Sequence, residues 1–221
     1  MAVLQRAPTQ TRATAPGTRR VSSQPEPNSR ADWTARYAAR PNDPRAPSRW
    51  IVEQGRALPR SSLVCDIPGG MGRHAAALAE LGHRVVLLDF AEPAVREAVR
   101  KSLSIIGVVA DMSALPLREE TFDAVVVTNF LDRDLIPAFI GLLKQGGRLL
   151  YETYTTEHVT LVAAGLARGP YSASYLLQPG ELRTLVSPLT IVEYREGEVK
   201  DEAGIRVCAS VHAVRSEVRG P

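Results

Sequence analysis

The sequence predicts an α/β fold built on a doubly wound, mostly parallel sheet. Three observations carry this expectation. From Leu63 onward, short β-rich runs alternate with helical stretches of about ten residues, the signature of strands connected by crossover helices. Four of those runs lead into a polar residue, Asp66, Asp89, Asp111 or Asn129, at the edge where such sheets hold ligands. The first run also passes through a Gly-rich turn, Asp66 to Gly72, straight into a helix. The C-terminal part departs from the alternation. Leu189 to Tyr194 and Ile205 to Val214 are strand-like with only a polar loop between them, which predicts an antiparallel hairpin closing the sheet edge.

Taken in order, Asp32 is positioned to cap a short helix carrying Trp33 and Tyr37, which share a face at i and i+4. Pro41, Pro44 and Pro47 break that helix, and Ser48 suits the cap of a second one running to about Arg56. Leu63 to Cys65 is a buried strand ending at Asp66. Gly72 to Leu81 is an Ala-rich helix with Gly82 at C′. Strands are expected at Arg84 to Asp89, Ile105 to Val109, Phe122 to Thr128 and Gly147 to Glu152. Helices are expected at Glu92 to Lys101 and Asp134 to Leu143.

Charge and composition bound the function. The chain has 221 residues, 44% apolar, with a formal net charge of +3. Residues 1–60 carry 11 arginines against 4 acidic residues, whereas residues 61–221 carry 16 basic against 20 acidic ones. The basic excess therefore sits at the N-terminus, and the mildly acidic body disfavours a broad nucleic-acid groove. Residues 1–30, rich in Pro, Thr, Ser, Gln and Arg, read as a flexible basic tail, and residues 31–217 as one folded domain. The longest apolar stretch, Leu135 to Leu143, is far short of the ~20 residues needed to span a bilayer. Two cysteines, Cys65 and Cys208, make no disulfide framework, so a cytoplasmic setting is expected, or an organelle if the tail is a transit peptide.

The turn Asp66-Ile67-Pro68-Gly69-Gly70-Met71-Gly72 lets the backbone approach a ligand closely, and Asp89 ends the second strand where a carboxylate can accept from ribose hydroxyls. Gly70 to Ala75 formally satisfies a dinucleotide pattern, so an NAD-dependent oxidoreductase is one reading. Charge opposes it. A pyrophosphate would meet Asp66 as a like charge, whereas S-adenosylmethionine brings a sulfonium and an ammonium. Asp111 is placed to accept from the adenine amino group with Met112 on the ring, and Asn129 lies where the methionine end would sit.

With those positions, the sequence resembles the class I S-adenosylmethionine-dependent methyltransferases. Within them it looks most like the small bacterial group related to the tellurite-resistance methyltransferase. That narrower likeness is carried by Trp33…Tyr37, the turn at Asp66–Gly72, Asn129-Phe130-Leu131-Asp132-Arg133, Tyr151-Glu152-Thr153-Tyr154 and Leu177-Gln178-Pro179-Gly180-Glu181-Leu182. The resemblance implies a Rossmann-like seven-stranded sheet whose last strands are antiparallel. It also implies a cofactor site drawn from Trp33, Tyr37, Asp66, Gly69, Gly70, Gly72, Asp89, Phe90, Asp111, Met112 and Asn129, lidded by the N-terminal helix. Two departures stand out: Pro68-Gly69 where relatives carry a small residue or Cys, and Asp132 where they often carry His.

A sulfonium is an already activated methyl donor, so in-line positioning supplies much of the rate, and a base is needed only for a protonated nucleophile. The catalytic candidates are Asp132 as base or orienter, Arg133 (with Arg183) for an anionic acceptor, and Glu152 and Tyr154 lining the pocket. His158 reads as an exposed helix residue, and His74 and His83 as helix-surface and turn residues. No metal-ligand spacing is present. The expected function is methyl transfer to a small-molecule nucleophile such as a thiol or chalcogen oxyanion, with S-adenosylhomocysteine as product. The alternatives are a binding protein without turnover, and an RNA methyltransferase tethered by the basic tail; the latter lacks the Asn/Asp-Pro-Pro-aromatic segment of base amine methylation.

Overall fold

A computed structural model describes residues 29–39, 45–170, 172–202 and 204–216. Most of the expected tail, and the break at Pro41 and Pro44, lie outside the described residues. The first helix, α1 (Arg30–Ala38), is capped by Ser29 rather than Asp32. Ser29 Oγ accepts from the Asp32 N–H while the Asp32 carboxylate accepts back from the Ser29 N–H, a capping box with the acid at its third position. Ser48 caps α2 (Arg49–Arg56) as expected.

Then β1 (Leu63–Asp66), α3 (Arg73–Glu80), β2 (Arg84–Asp89), α4 (Glu92–Val99), β3 (Ile105–Val109) and β4 (Phe122–Thr128) follow within a residue or two of expectation. The helix expected over 134–143 resolves into a 3-10 turn at Arg133–Leu135 and a shorter α5 (Ile136–Gly141). β5 (Leu143–Tyr154) therefore begins earlier than Gly147. Leu143 pairs with Phe122, residues 144–147 loop out of the ladder, and pairing resumes at Arg148 with Ala124. After α6 (His158–Ala163) and α7 (Glu181–Leu185) come β6 (Thr190–Asp201) and β7 (Gly204–Val214).

The sheet has seven strands in the order β3-β2-β1-β4-β5-β7-β6. β1 to β5 run parallel, and β7 is antiparallel to both β5 and β6. The sequence expectation of a polar loop between the last two strands is corrected: Arg195 to Asp201 stay in the ladder, paired through to Gly204. An outermost strand needs no apolar alternation, so its charges conceal it.

Side-chain alternation builds two cores. Val64, Val85, Leu87, Ala124, Val126 and Leu150 face α2, α3 and α4, while Cys65, Leu88, Val125, Val127, Leu149 and Tyr151 face α5 and α7. The alanines of α3 serve close packing. Gly72, at φ +72 just before the helix, lies so near α4 that a Cβ there would stand 2.6 Å from Ala98 Cβ. This approach fixes the turn above the ends of β1 and β2.

Candidate functional site

The carboxyl edge of the parallel strands gathers the polar residues. Asp66, at the end of β1, is wholly buried; its Oδ2 accepts from the Ala75 N–H at 3.1 Å, while its Oδ1 has no hydrogen-bond partner among the described residues. Burial pushes its carboxyl up to about 7, against the Ala75 amide and the Arg73 charge, with Asp89 adding to the rise. Asp89, also buried, accepts from the Gly70 N–H and the Ala91 N–H, each at 2.9 Å. Burial likewise holds its carboxyl above the usual value. Asp89 thus clasps the Gly-rich turn to its own strand. Gly69 cannot carry a side chain, since a Cβ would meet Leu87 at 2.4 Å.

α1 lies across this edge with no fully buried residue, and its Tyr37 packs against the small cluster of Met71, Ala91 and Ala94. Trp33 and Tyr37 pack ring to ring at 5.8 Å, and the Tyr37 hydroxyl stands 3.0 Å from where a Gly70 Cβ would be. Arg30 sits over the Phe90 ring, 5.4 Å from its centroid, and pairs with Asp111. Asp111 also caps the 3-10 turn at Met112 by accepting from the Ser113 N–H at 3.0 Å, the main reason its carboxyl lies below the usual range. Met112 is buried, and Asn129 is exposed, at φ +52, with its N–H on the Glu152 carbonyl.

The acceptor-side candidates are placed less as expected. Asp132 is exposed and caps its 3-10 turn through the Asp134 N–H. Arg133 is consumed by structure: its guanidinium makes a bidentate pair with Glu181 at 2.6 and 2.9 Å and donates to the Leu176 carbonyl. These contacts join the segment after β4 to the start of α7. Arg183 lies over the Tyr194 ring at 4.0 Å. Glu152 is buried between Arg206 at 3.2 Å and the Ser210 hydroxyl at 3.0 Å. Tyr154 is half-buried against His158, and burial raises its phenol, so it stays protonated at neutral pH and can donate but not abstract.

Two histidines are corrected outright. His158 is fully buried: its Nδ1 accepts from the Val207 N–H and its Nε2 donates to the Arg168 carbonyl, both at 3.2 Å. Burial lowers its pKa. His74 is buried as well, accepting from the Ser48 N–H through Nε2 and meeting the Thr128 hydroxyl through Nδ1. It thereby ties the start of α2 to the end of β4. His83 does lie in the turn before β2, but buried, with Nε2 donating to the Gly55 carbonyl. His74 stands four residues before buried Leu78, and His158 four before buried Val162. Helical spacing was the signal that would have found both.

Residues 64–147 match the family model described as a methyltransferase domain. Over those residues the chain is similar to methyltransferase domains. Among curated proteins, the demethylmenaquinone methyltransferase of Clavibacter sepedonicus is 32% identical over 127 residues, covering 52% of this chain and 51% of that one. The 23S rRNA (guanine(748)-N(1))-methyltransferase of Streptomyces fradiae is 36% identical over 110 residues, covering 48% and 39%. The chain spans about half the length, or less, of these relatives. TehB from Haemophilus influenzae shares the fold at a TM-score of 0.59 and 22% identity, over 75% of this chain and 61% of that one. The residues matched by the family model span the Gly-rich turn and the strands β2 to β4. No described helix is long and apolar enough to cross a membrane.

Proposed function

We propose that the chain binds S-adenosylmethionine at the turn between β1 and α3 and transfers its methyl group to a small-molecule nucleophile. The observation that carries the reading is Asp66: a buried carboxyl with one oxygen lacking a partner, beneath a backbone cradle that rejects side chains. Such an oxygen is stabilised by a positively charged ligand group. The cosubstrate supplies a methyl group already activated on a sulfonium. The chain's own residues do the rest. Asp66 and Asp89 hold the ligand's polar ends, Phe90 and Met112 offer apolar faces, and Trp33 and Tyr37 on α1 exclude water from above. Asp132, on the rim after β4, is the carboxylate placed to orient or deprotonate an acceptor. The acidic body supports a small molecule over RNA. A soft acceptor such as a thiol or chalcogen oxyanion follows from the likeness to the tellurite-resistance group.

Calorimetric titration with S-adenosylmethionine, S-adenosylhomocysteine and NAD tests the site. Micromolar binding of the first two and none of NAD is expected. Asp89→Ala removes acceptors from two amides at once, each worth roughly 1.5–3 kcal/mol when the acceptor is charged. It should lower the melting temperature and weaken S-adenosylmethionine binding by about 100-fold or more. Binding of NAD alone would sink the proposal. The basic tail makes RNA the competing acceptor, and transfer of radiolabelled methyl to bulk RNA but to no small-molecule panel would displace the small-molecule reading.

A further inference from the structure

α1 is fastened to the body near both of its ends. A helix of nine residues is marginal on its own in water, so its place depends on what it touches. Near its C-terminal end, Tyr37 rests on Met71, Ala91 and Ala94. At its first residue, the Arg30 guanidinium stands 5.4 Å from the centroid of the Phe90 ring and pairs with Asp111 Oδ2. The other oxygen, Asp111 Oδ1, accepts from the Ser113 N–H at 3.0 Å. Both oxygens of this carboxylate are therefore engaged in the free chain, one by the backbone and one by α1. An adenine ring laid on Phe90, with its amino group donating to Asp111, needs the ring face and the oxygen that Arg30 covers.

Resting on the cofactor site proposed above, we infer that Arg30 is a latch that competes with the adenine of S-adenosylmethionine for Phe90 and Asp111. A guanidinium and an adenine cannot lie on one face of Phe90 together, and the exocyclic amino group is a donor that seeks the oxygen Arg30 holds. The ligand binds the fraction of molecules in which Arg30 has let go, and its apparent affinity is reduced by that fraction. The Arg30 and Asp111 side chains are 56% and 42% exposed, so water and salt reach the contact. A pair this exposed is weak enough to release at each binding event, and screening loosens it further. Tyr37 takes no part in the exchange. α1 thus keeps its hold on the Gly-rich turn while Arg30 turns out to solvent.

The probe is S-adenosylhomocysteine, which carries no net charge, so that salt acts on the latch rather than on the ligand. Calorimetric titration of the full chain at about 0.05 M and about 0.5 M salt compares wild type with Arg30→Gln. The variant keeps a straight, helix-forming side chain and removes its charge. Arg30→Gln should bind about tenfold more tightly at low salt. High salt should tighten wild-type binding several-fold and leave Arg30→Gln unchanged. Arg60→Gln, at an exposed arginine in the turn before β1, removes the same charge elsewhere and should behave as wild type. Equal or weaker binding by Arg30→Gln overturns the inference, as does a wild-type affinity that stays flat or falls with salt. Those outcomes leave the cofactor site standing. Binding by neither protein would remove the site itself, and the latch with it.

Discussion

S-adenosylmethionine should bind more tightly as pH rises from about 5.5 to about 7.5, and should expel a proton as it binds near neutrality. Asp66 is the reason. In the free protein its carboxyl titrates at about 7, because burial penalises the charged form and one oxygen has no donor. A cationic ligand group selects the ionised form, so below that value affinity falls by up to tenfold per pH unit. A ligand that places a pyrophosphate there does the opposite, taking up a proton and weakening as pH rises. The slope thus separates the two cofactor readings by sign. A fixed negative charge on Asp66 would separate the two cofactors at any pH. Near pH 7 it is a half-neutralised acid, so binding at a single pH separates them less than the pH slope does.

The same acid affects stability without ligand. Its folded value of about 7 lies well above that of a free aspartate, so between the two the folded chain holds a proton that the unfolded chain has released. The contribution is fully present below about 4 and is lost as pH rises to about 7, by at most about 4 kcal/mol. Asp66→Asn should therefore flatten both pH profiles and raise the melting temperature of the free protein at pH 8. It should also cost roughly 100-fold in affinity there. Titrations in two buffers of different ionisation enthalpy count the expelled proton. Proton uptake in place of release, or a pH slope that survives Asp66→Asn, would refute the assignment.

What the sequence revealed follows from which residues touch which partners. β1, β2 and β4 were legible because they are buried on both faces and read as apolar runs, as Val125 to Val127 do between two cores. β3 was legible because Ile105 to Val109 is apolar throughout, although Ile106 and Val109 are exposed. The Gly-rich turn and the acids after the strands were legible because their chemistry is local. β6 was half hidden because its outer residues, Glu196, Glu198 and Lys200, are the ones an exposed edge requires. The acceptor side misled for a different reason. Arg133, Glu152 and His158 were read one at a time as free polar groups, yet each finds its partner far along the chain: Glu181, Arg206 and the Val207 amide. No spacing rule pairs residues 48 to 54 positions apart across a sheet.

Arg206 concentrates the largest stability effect. It is buried on β7 between Asp201, which accepts from it at 2.7 and 3.2 Å, and Glu152 at 3.2 Å. Burial works against its charge, but the bond to Asp201 and the charges of Asp201 and Glu152 outweigh that and hold the guanidinium above its usual value. Arg206→Met removes the cation shared by two buried carboxylates and should destabilise the fold by about 3–5 kcal/mol at pH 7. Combining it with Glu152→Gln should recover part of the stability, because a neutral amide costs less to bury than an unpaired carboxylate. The cycle also resolves what Glu152 does. If Glu152 only holds β5 to β7, Glu152→Gln lowers the urea midpoint, and the folded fraction retains its turnover. A variant of unchanged stability whose turnover collapses would instead return Glu152 to the reacting atoms and overturn the structural role assigned to it here.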